Sequence, residues 1–386
     1  MDLTLKYGAN PHQSTARASA DPAPFEVLNG KPGYINLLDA LNSWQLVVEL
    51  AGSLATPAAA SFKHVSPAGA AVGNPLTDEF REVYDVADRE LSPLACAYVR
   101  ARQADPMSSF GDWIALSHRV DVPTAKLIRR EVSDGVCAPG YEEEALEILN
   151  KKKGGNYPIL CFDPDFTPPD TEKRDIFGVT LEQSRNDVRL DESILENIVT
   201  RNRELTPEAR RDLLVATITL KYTQSNSVCY ALDGQVVGNG AGQQSRVHCA
   251  KLAGSKVEAW HLRRHPKVRG MAFTKGLKRP EKVNAVQRYV EGDMTPKERT
   301  AWETNFETVP EPLTAQERNE WMDTLTGVAL SSDAFFPFRD SLDQASRYGV
   351  RYVVQTGGSV RDDLVVEAAD EYDMVMAISG IRLFHH

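Results

Sequence analysis

Two neighbouring side chains in SFKHVSPAGAAVG, residues 61–73, are of types that could do chemistry together: Lys63, an amine, and His64, an imidazole, the side-chain type whose ordinary range spans neutral pH. That pairing suits a reaction in which a proton and a charge move at once. Taken alone, the same two residues read as a solvated strand-end charge and a hydrogen-bonded structural histidine. Successive strand residues point to opposite faces, so both reach one site only where a strand ends and the chain turns. Ala58–Phe62 reads as a short buried strand and Pro67 with Gly69 as the turn, which puts Lys63 and His64 at the mouth of a sheet, where α/β proteins bind ligands.

Three further stretches carry candidate chemistry. In KYTQSNSVCY, Asn226 is an amide able to donate to a developing oxyanion, or a plain turn residue. GNGAGQQSR spaces Gly238, Gly240 and Gly242 as GxGxG, not as the dinucleotide GxGxxG. It reads either as a hairpin exit and helix cap or as a close backbone approach to a ligand, with Arg246 aimed at a carboxylate or phosphate. DAFFPFRD sets Phe335, Phe336 and Phe338 around Pro337 before Arg339 and Asp340; at least one ring belongs to the core, and the others suit a flat heterocycle. Arg382 is another anion binder. The chain has no GxxxxGK[ST] loop, no HxE with PCxxC, no GxSxG and no histidine cluster with ligand spacing.

Elements must hold these residues in place, and alternation of helix and strand supplies them. Leu37, Leu38, Leu41, Trp44 and Val48 recur at helical spacing from Asn36, with Gly52 as a stop. SPLACAYVRARQA and VPTAKLIRREVSDG read as helices, DWIALSH and NYPILCF as strands, which is the α/β pattern. A linker rich in proline and acid, residues 162–175, precedes a second such unit with the helix PEARRDLLVATITLKY and a hairpin at Asp233-Gly234. SFKHVSPAGAAVG and TLKYTQSNSVCYA share the order apolar, Lys, ring, small polar, a weak sign of duplication. Residues 326–386 are expected to return to the first sheet, so that 1–172 with 326–386 forms one discontinuous unit and 173–325 the other.

With 386 residues, two such units are in proportion. A net charge of −10 argues against nucleic acid as a general partner. No apolar run approaches a membrane span and the start, MDLTLKYGANPHQ, has no secretory pattern, so a cytoplasmic protein is expected. Cys96, Cys137, Cys161, Cys229 and Cys249 lie at wide spacings that fit neither a metal pair nor a disulfide framework.

Eight stretches in order, KYGANPHQ, SFKHVSPAG, MSSFGD, EVSDGVCAPGYEEEAL, KYTQSNSVCY, GAGQQSR, SSDAFFPFRD and RLFHH, resemble the transformylase half of the bifunctional purine-biosynthesis family that formylates AICAR and then cyclises the product. The resemblance covers nearly the whole chain without the family's cyclohydrolase domain, and implies a stand-alone transformylase using 10-formyltetrahydrofolate. It also implies two duplicated cytidine-deaminase-like α/β/α units without zinc, and an intertwined homodimer whose active sites draw on both chains. Lys63 and His64 fall on the family's catalytic pair, with His64 as proton acceptor and Lys63 with Asn226 as oxyanion stabilisers. Lys6, Tyr7, Asn36, Gly111, Asp134, Phe335 and Arg382 fall at AICAR positions. Met107, Arg246, Val247, Pro337, Asp340 and Ser341 fall at folate positions, and Asn284 falls near the site without a defined role.

Some members hold potassium, which would lie here near Thr223, Ser225, Ser227, Asp333 and Leu383, although Thr219 breaks that match. Other departures are Lys6 in place of arginine, which turns a bidentate phosphate contact into a point charge, and Val247 and Ser341 in place of isoleucine and asparagine. Two rival readings stand beside the transformylase: an enzyme that takes its formyl group from formate and ATP, and a catalytically silent nucleotide- or folate-binding regulator.

Overall fold

Ala58–Lys63, Asp112–Leu116 and Val328–Ser332 are buried almost end to end. Strands apolar on both faces belong inside a sheet that helices cover on both sides. A computed structural model describes Met1–His386 and shows that sheet. Its eleven strands, numbered here along the chain, are β1 (Phe25–Asn29), β2 (Ala58–Lys63), β3 (Ser66–Val72), β4 (Asp112–Leu116), β5 (Ser133–Ala138), β6 (Ile159–Phe162), β7 (Val228–Leu232), β8 (Gln235–Gly240), β9 (Val328–Ser332), β10 (Val350–Gln355) and β11 (Val375–Ile378). Their order across the sheet is β11-β10-β9-β7-β8-β3-β2-β4-β5-β6-β1.

That order contains one pattern twice. From the centre outward, β3-β2-β4-β5-β6 repeats as β8-β7-β9-β10-β11. In each unit a hairpin pairs antiparallel with the next strand, and two parallel strands follow. The halves meet antiparallel at β3 and β8, with Ala71 opposite Gln235. The helices repeat as well. One helix precedes each hairpin, α1 (Tyr34–Leu54) and α3 (Pro207–Lys221), and one follows it, α2 (Pro93–Ala104) and α4 (Arg246–Leu262). The pair α1 and α3 buries Leu46, Leu50, Leu213 and Ile218 on one face of the sheet. The pair α2 and α4 buries Leu94, Tyr98, Ala253 and Val257 on the other.

Several expectations change. The closing strands Val328–Ile378 pair with β7 and not with the first half, because β1 already caps β6 there. The first unit is therefore continuous, and the second is the interrupted one. Residues 263–327 form the interruption, a lobe with its own small core of Tyr289, Val290, Trp302 and Phe306. The proposed lysine repeat was aligned on unlike elements: Lys63 ends strand β2, whereas Lys221 ends helix α3, buried with its ammonium on Glu49 at 2.8 Å. Helix α1 runs through Gly52 and stops at Ala55, which is left-handed at φ 50°. No helix is long and apolar enough to cross a membrane.

The hairpin turn before β3 is formed by His64 and Val65 themselves, both left-handed at φ 52° and 58°. Pro67 and Gly69 are strand residues. Gly69 is needed for a different reason: a Cβ there would lie 2.1 Å from the Ala101 carbonyl of α2. Gly238 and Gly240 do the same on β8, where a Cβ would lie 2.2 Å from the Ala253 carbonyl and 2.3 Å from that of Cys249, both on α4. Their close approach is to a helix, not to a ligand. Gly69→Ala and Gly238→Ala are each expected to lower stability in urea by about 1–3 kcal/mol. Gly52→Ala, with open space around it inside α1, is expected to raise it by roughly 0.5–1 kcal/mol.

Candidate active site

A two-residue turn with both positions left-handed normally takes Asn-Gly or Asp-Gly. A β-branched residue there carries strain of order 1–3 kcal/mol. That backbone puts His64, which is exposed, directly beyond Lys63, which is half-buried. The Lys63 ammonium donates to the Phe110 carbonyl at 2.5 Å, next to Gly111, whose φ of 76° calls for glycine. Beneath the lysine, Ser61 and Arg102 each donate to the buried Asp112 carboxylate at 2.6 Å. Asp39, on α1 and 5 % exposed, accepts the Val65 N–H at 2.7 Å.

Lys63 stands between two cavities. One of about 410 Å³ is lined by Met107, Phe110, Val132, Arg279 and Asn284. The other, of about 350 Å³, is lined by His64, Ser66, Ser108, Asn239 and Lys256. A cation and an imidazole at such a junction can serve two ligands that meet there.

A second cluster forms where β7 begins and β9 ends. The buried Asp333 carboxylate accepts from Arg246, from Ser225 Oγ at 2.6 Å and from the Ser227 N–H at 3.0 Å. Arg246 is itself buried and donates in addition to Ser332 Oγ at 3.0 Å and to Asn226 Oδ1 at 2.9 Å. Its guanidinium thus orients Asn226 and is engaged inside the protein. The Leu383 N–H donates to the Asp333 carbonyl at 2.8 Å, which anchors the last residues. Arg382 next to it is exposed, 4.6 Å over the Phe384 ring.

The two clusters share one edge of the sheet without touching. Lys63 ends β2 and Asn226 precedes β7, and with β3 and β8 between them the separation is three strand spacings, roughly 14 Å. Hydrogen bonds between side chain and backbone link the segments that carry them: the Gln224 N–H donates to Ser66 Oγ at 3.3 Å, and Asn239 Nδ2 to the Pro67 carbonyl at 2.9 Å.

The remaining expected site residues scatter between the clusters. Met107 and Asn284 are exposed at the larger cavity, with Nδ2 of Asn284 4.0 Å from the Met107 sulfur. Asn36 caps α1 by accepting the Gly33 N–H at 2.9 Å, and Asp134 pairs with Lys153 at 2.9 Å. Lys6, exposed 5.7 Å from the Tyr7 ring, makes no hydrogen bond or ion pair with the His64 turn. Phe335 and Phe338 are exposed and Phe336 is core, while Val247, Pro337 and Asp340 are half-buried. Ser341 is fully buried, beside Asp340. No three His, Cys, Asp or Glu side chains converge as a metal-ligand group. Sequence reasoning passed over Asp39 and Asp112; an aspartate set within the apolar repeat of LLDALNSW was the available signal for the first.

Comparison with known proteins gives a consistent picture. A family model described as AICARFT/IMPCHase bienzyme matches residues 1–256. The bifunctional purine biosynthesis protein PurH of Xylella fastidiosa (strain 9a5c) is 31% identical over 392 residues, covering 99% of this chain and 58% of that protein. PurH of Magnetococcus marinus is 32% identical, covering 99% of this chain and 59% of that protein. PurH of Elusimicrobium minutum is 32% identical over 99% of this chain and 58% of that protein. The chain therefore spans less than two thirds of the length of these relatives.

Burial pushes the Asp39 carboxyl up from 3.8 to about 6, against the pull of the Val65 N–H and of His64. The folded chain then holds this proton more tightly than the unfolded one, so this group's contribution to stability falls as pH rises from about 4 to about 6. Asp39→Asn is expected to be more stable than the parent at pH 7.5, by up to about 3 kcal/mol, with the gain shrinking at pH 4.5. Urea unfolding of both proteins at the two pH values measures it.

Proposed function

The chain belongs to the AICARFT/IMPCHase bienzyme family, and from that premise we propose that it is an enzyme of purine biosynthesis that transfers the formyl group of 10-formyltetrahydrofolate to the 5-amino group of AICAR. The observation that carries this reading is the Lys63–His64 pair on a strained turn, with Lys63 lining both cavities. The AICAR amine is conjugated with the ring and the carboxamide, so it is a weak nucleophile until it loses a proton. In the proposed step its nitrogen attacks the formyl carbon, and the C–N bond forms as His64 accepts the amine proton. The formyl oxygen becomes an oxyanion facing the Lys63 ammonium. Collapse breaks the bond to folate N10, which takes up a proton and leaves as tetrahydrofolate.

Asn226 is the second proposed oxyanion donor, and its place three strand spacings from Lys63 within one chain, roughly 14 Å, bears on how it would act. A homodimer that brings one chain's Asn226 cluster to its partner's Lys63 solves the geometry. The hairpin Thr171–Ile176 and Val179–Ser184 supports such a dimer. All of it is exposed, with Ile176, Val179 and Leu181 more than half or nearly half open and Phe177 entirely so. An isolated two-stranded hairpin is marginal in water, so a partner surface is its natural support. The proposed nucleotide contacts are Lys6, Tyr7, Asn36, Gly111, Asp134, Phe335 and Arg382. Those proposed for folate are Met107, Arg246, Val247, Pro337, Asp340 and Ser341. Potassium fits the Asp333 cluster in one respect, because Ser227 Oγ is buried there without a hydrogen-bond partner.

The test is turnover of purified protein with AICAR, supplied either with 10-formyltetrahydrofolate or with formate and ATP, and with product followed by mass. Formyl-AICAR from the folate alone is expected. Product only from formate and ATP, or conversion of formyl-AICAR to IMP without formylation, overturns the reading. His64→Ala is expected to lower kcat by about 10²–10⁴ while AICAR binding, read by calorimetry, stays within a few fold. Deleting residues 171–184 is expected to convert dimer to monomer in light scattering.

A further inference from the structure

The two hairpin turns of the repeated units are held by the same device. In the second unit, Asp212 is the sixth residue of α3 and 2 % exposed, and its carboxylate accepts the N–H of Asp233 at 2.8 Å and of Gly234 at 2.6 Å. In the first unit, Asp39 is the sixth residue of α1, and its carboxylate accepts the N–H of Val65. Each aspartate reaches from the helix before the hairpin into the turn of that hairpin. What differs is the turn: Asp233-Gly234 is chemistry that adopts left-handed backbone readily, and His64-Val65 is not.

We infer that Asp39 is a positioning residue for the reaction, holding Lys63 and His64 in place by clamping a turn that its own residues disfavour. The inference rests on the transformylase reading for its kinetic consequences and on the repeated geometry for its structural ones. Without an acceptor, the half-buried Val65 N–H loses its partner and the turn has nothing to oppose relaxation of Val65 toward extended backbone. Relaxation would rotate the His64 imidazole away from Lys63. Burial of a carboxylate in the field of Asp112 and Asp134, offset only in part by the Val65 N–H and by the pull of His64, is unfavourable for folding. Its presence is explained by the turn it serves.

The test compares Asp39→Ala, Asp39→Asn and Asp39→Ala with Val65→Gly. Exchange of the Val65 amide with deuterium, read by NMR, is expected to speed up at least about tenfold in Asp39→Ala and to stay within a few fold of the parent in Asp39→Asn, which keeps an acceptor oxygen. Transformylase kcat is expected to fall about tenfold or more in Asp39→Ala with KM for AICAR little changed. Asp39→Asn restores most of it, and adding Val65→Gly restores part, because glycine removes the strain that the clamp opposes. Should Asp39→Ala be insoluble, recovery of soluble protein on adding Val65→Gly is the same rescue. Unchanged amide exchange in Asp39→Ala, or loss of kcat that neither second variant relieves, overturns the inference. If the parent protein itself lacks transformylase activity, the function fails while the exchange experiment still decides the role of Asp39.

Discussion

The antiparallel seam between β3 and β8 is the constraint on which the rest of this molecule depends. It joins two five-stranded units into one sheet, and it does so with hairpins whose inner strands are packed against helices at backbone distance. Gly69, Gly238 and Gly240 make that possible, since any side chain there would displace α2 or α4. With the seam fixed, the start of β3, the end of β8 and the start of β7 come to one edge. Lys63 and Asn226 then stand three strands apart on that edge, whatever the loops around them do.

Charge is used under the site in a way that stability alone does not explain. Asp112 pairs with Arg102, Arg102 with Glu131 at 3.4 Å, and Glu131 with Arg279 at 2.8 Å. Arg279 comes from the inserted lobe, so this chain of ion pairs ties the lobe to the wall of the larger cavity. Buried pairs of this kind contribute little net stability, yet removing one partner leaves a charge unmatched at a cost of about 3–5 kcal/mol. The arrangement therefore fixes geometry more than it deepens the energy well. The Arg246–Asp333 pair does the same for Asn226 on the other side of the seam.

How much of this was legible beforehand depends on the kind of signal. The α/β class was visible in alternating periodicity, and the Asp233-Gly234 hairpin in its turn chemistry. Lys63 and His64 stood out as residue types at a strand end, although Pro67 and Gly69 misled as to where the turn lay, because a left-handed His-Val turn breaks the local rule that puts Gly, Asn or Asp at such positions. The true repeat was hidden because its two hairpins share topology and a clamping aspartate, not a motif. The return of Val328–Ile378 to β7 was illegible since strand pairing across a 65-residue insertion leaves no local trace. That Ser341 and Arg246 are buried was not legible either, because residue type does not reveal burial.

That insertion also has a consequence in time. During synthesis the first unit can complete its strands as soon as residue 162 has emerged, since β1 and β2–β6 are close together in the chain. The second cannot: β7 must wait for β9, about a hundred residues later, before its outer edge is paired. An unpaired, apolar edge is what promotes association between nascent chains. The lobe of residues 263–327 lies between the two strands in sequence and so sets the length of that exposed interval on the ribosome, which makes the second half the vulnerable step in producing this protein.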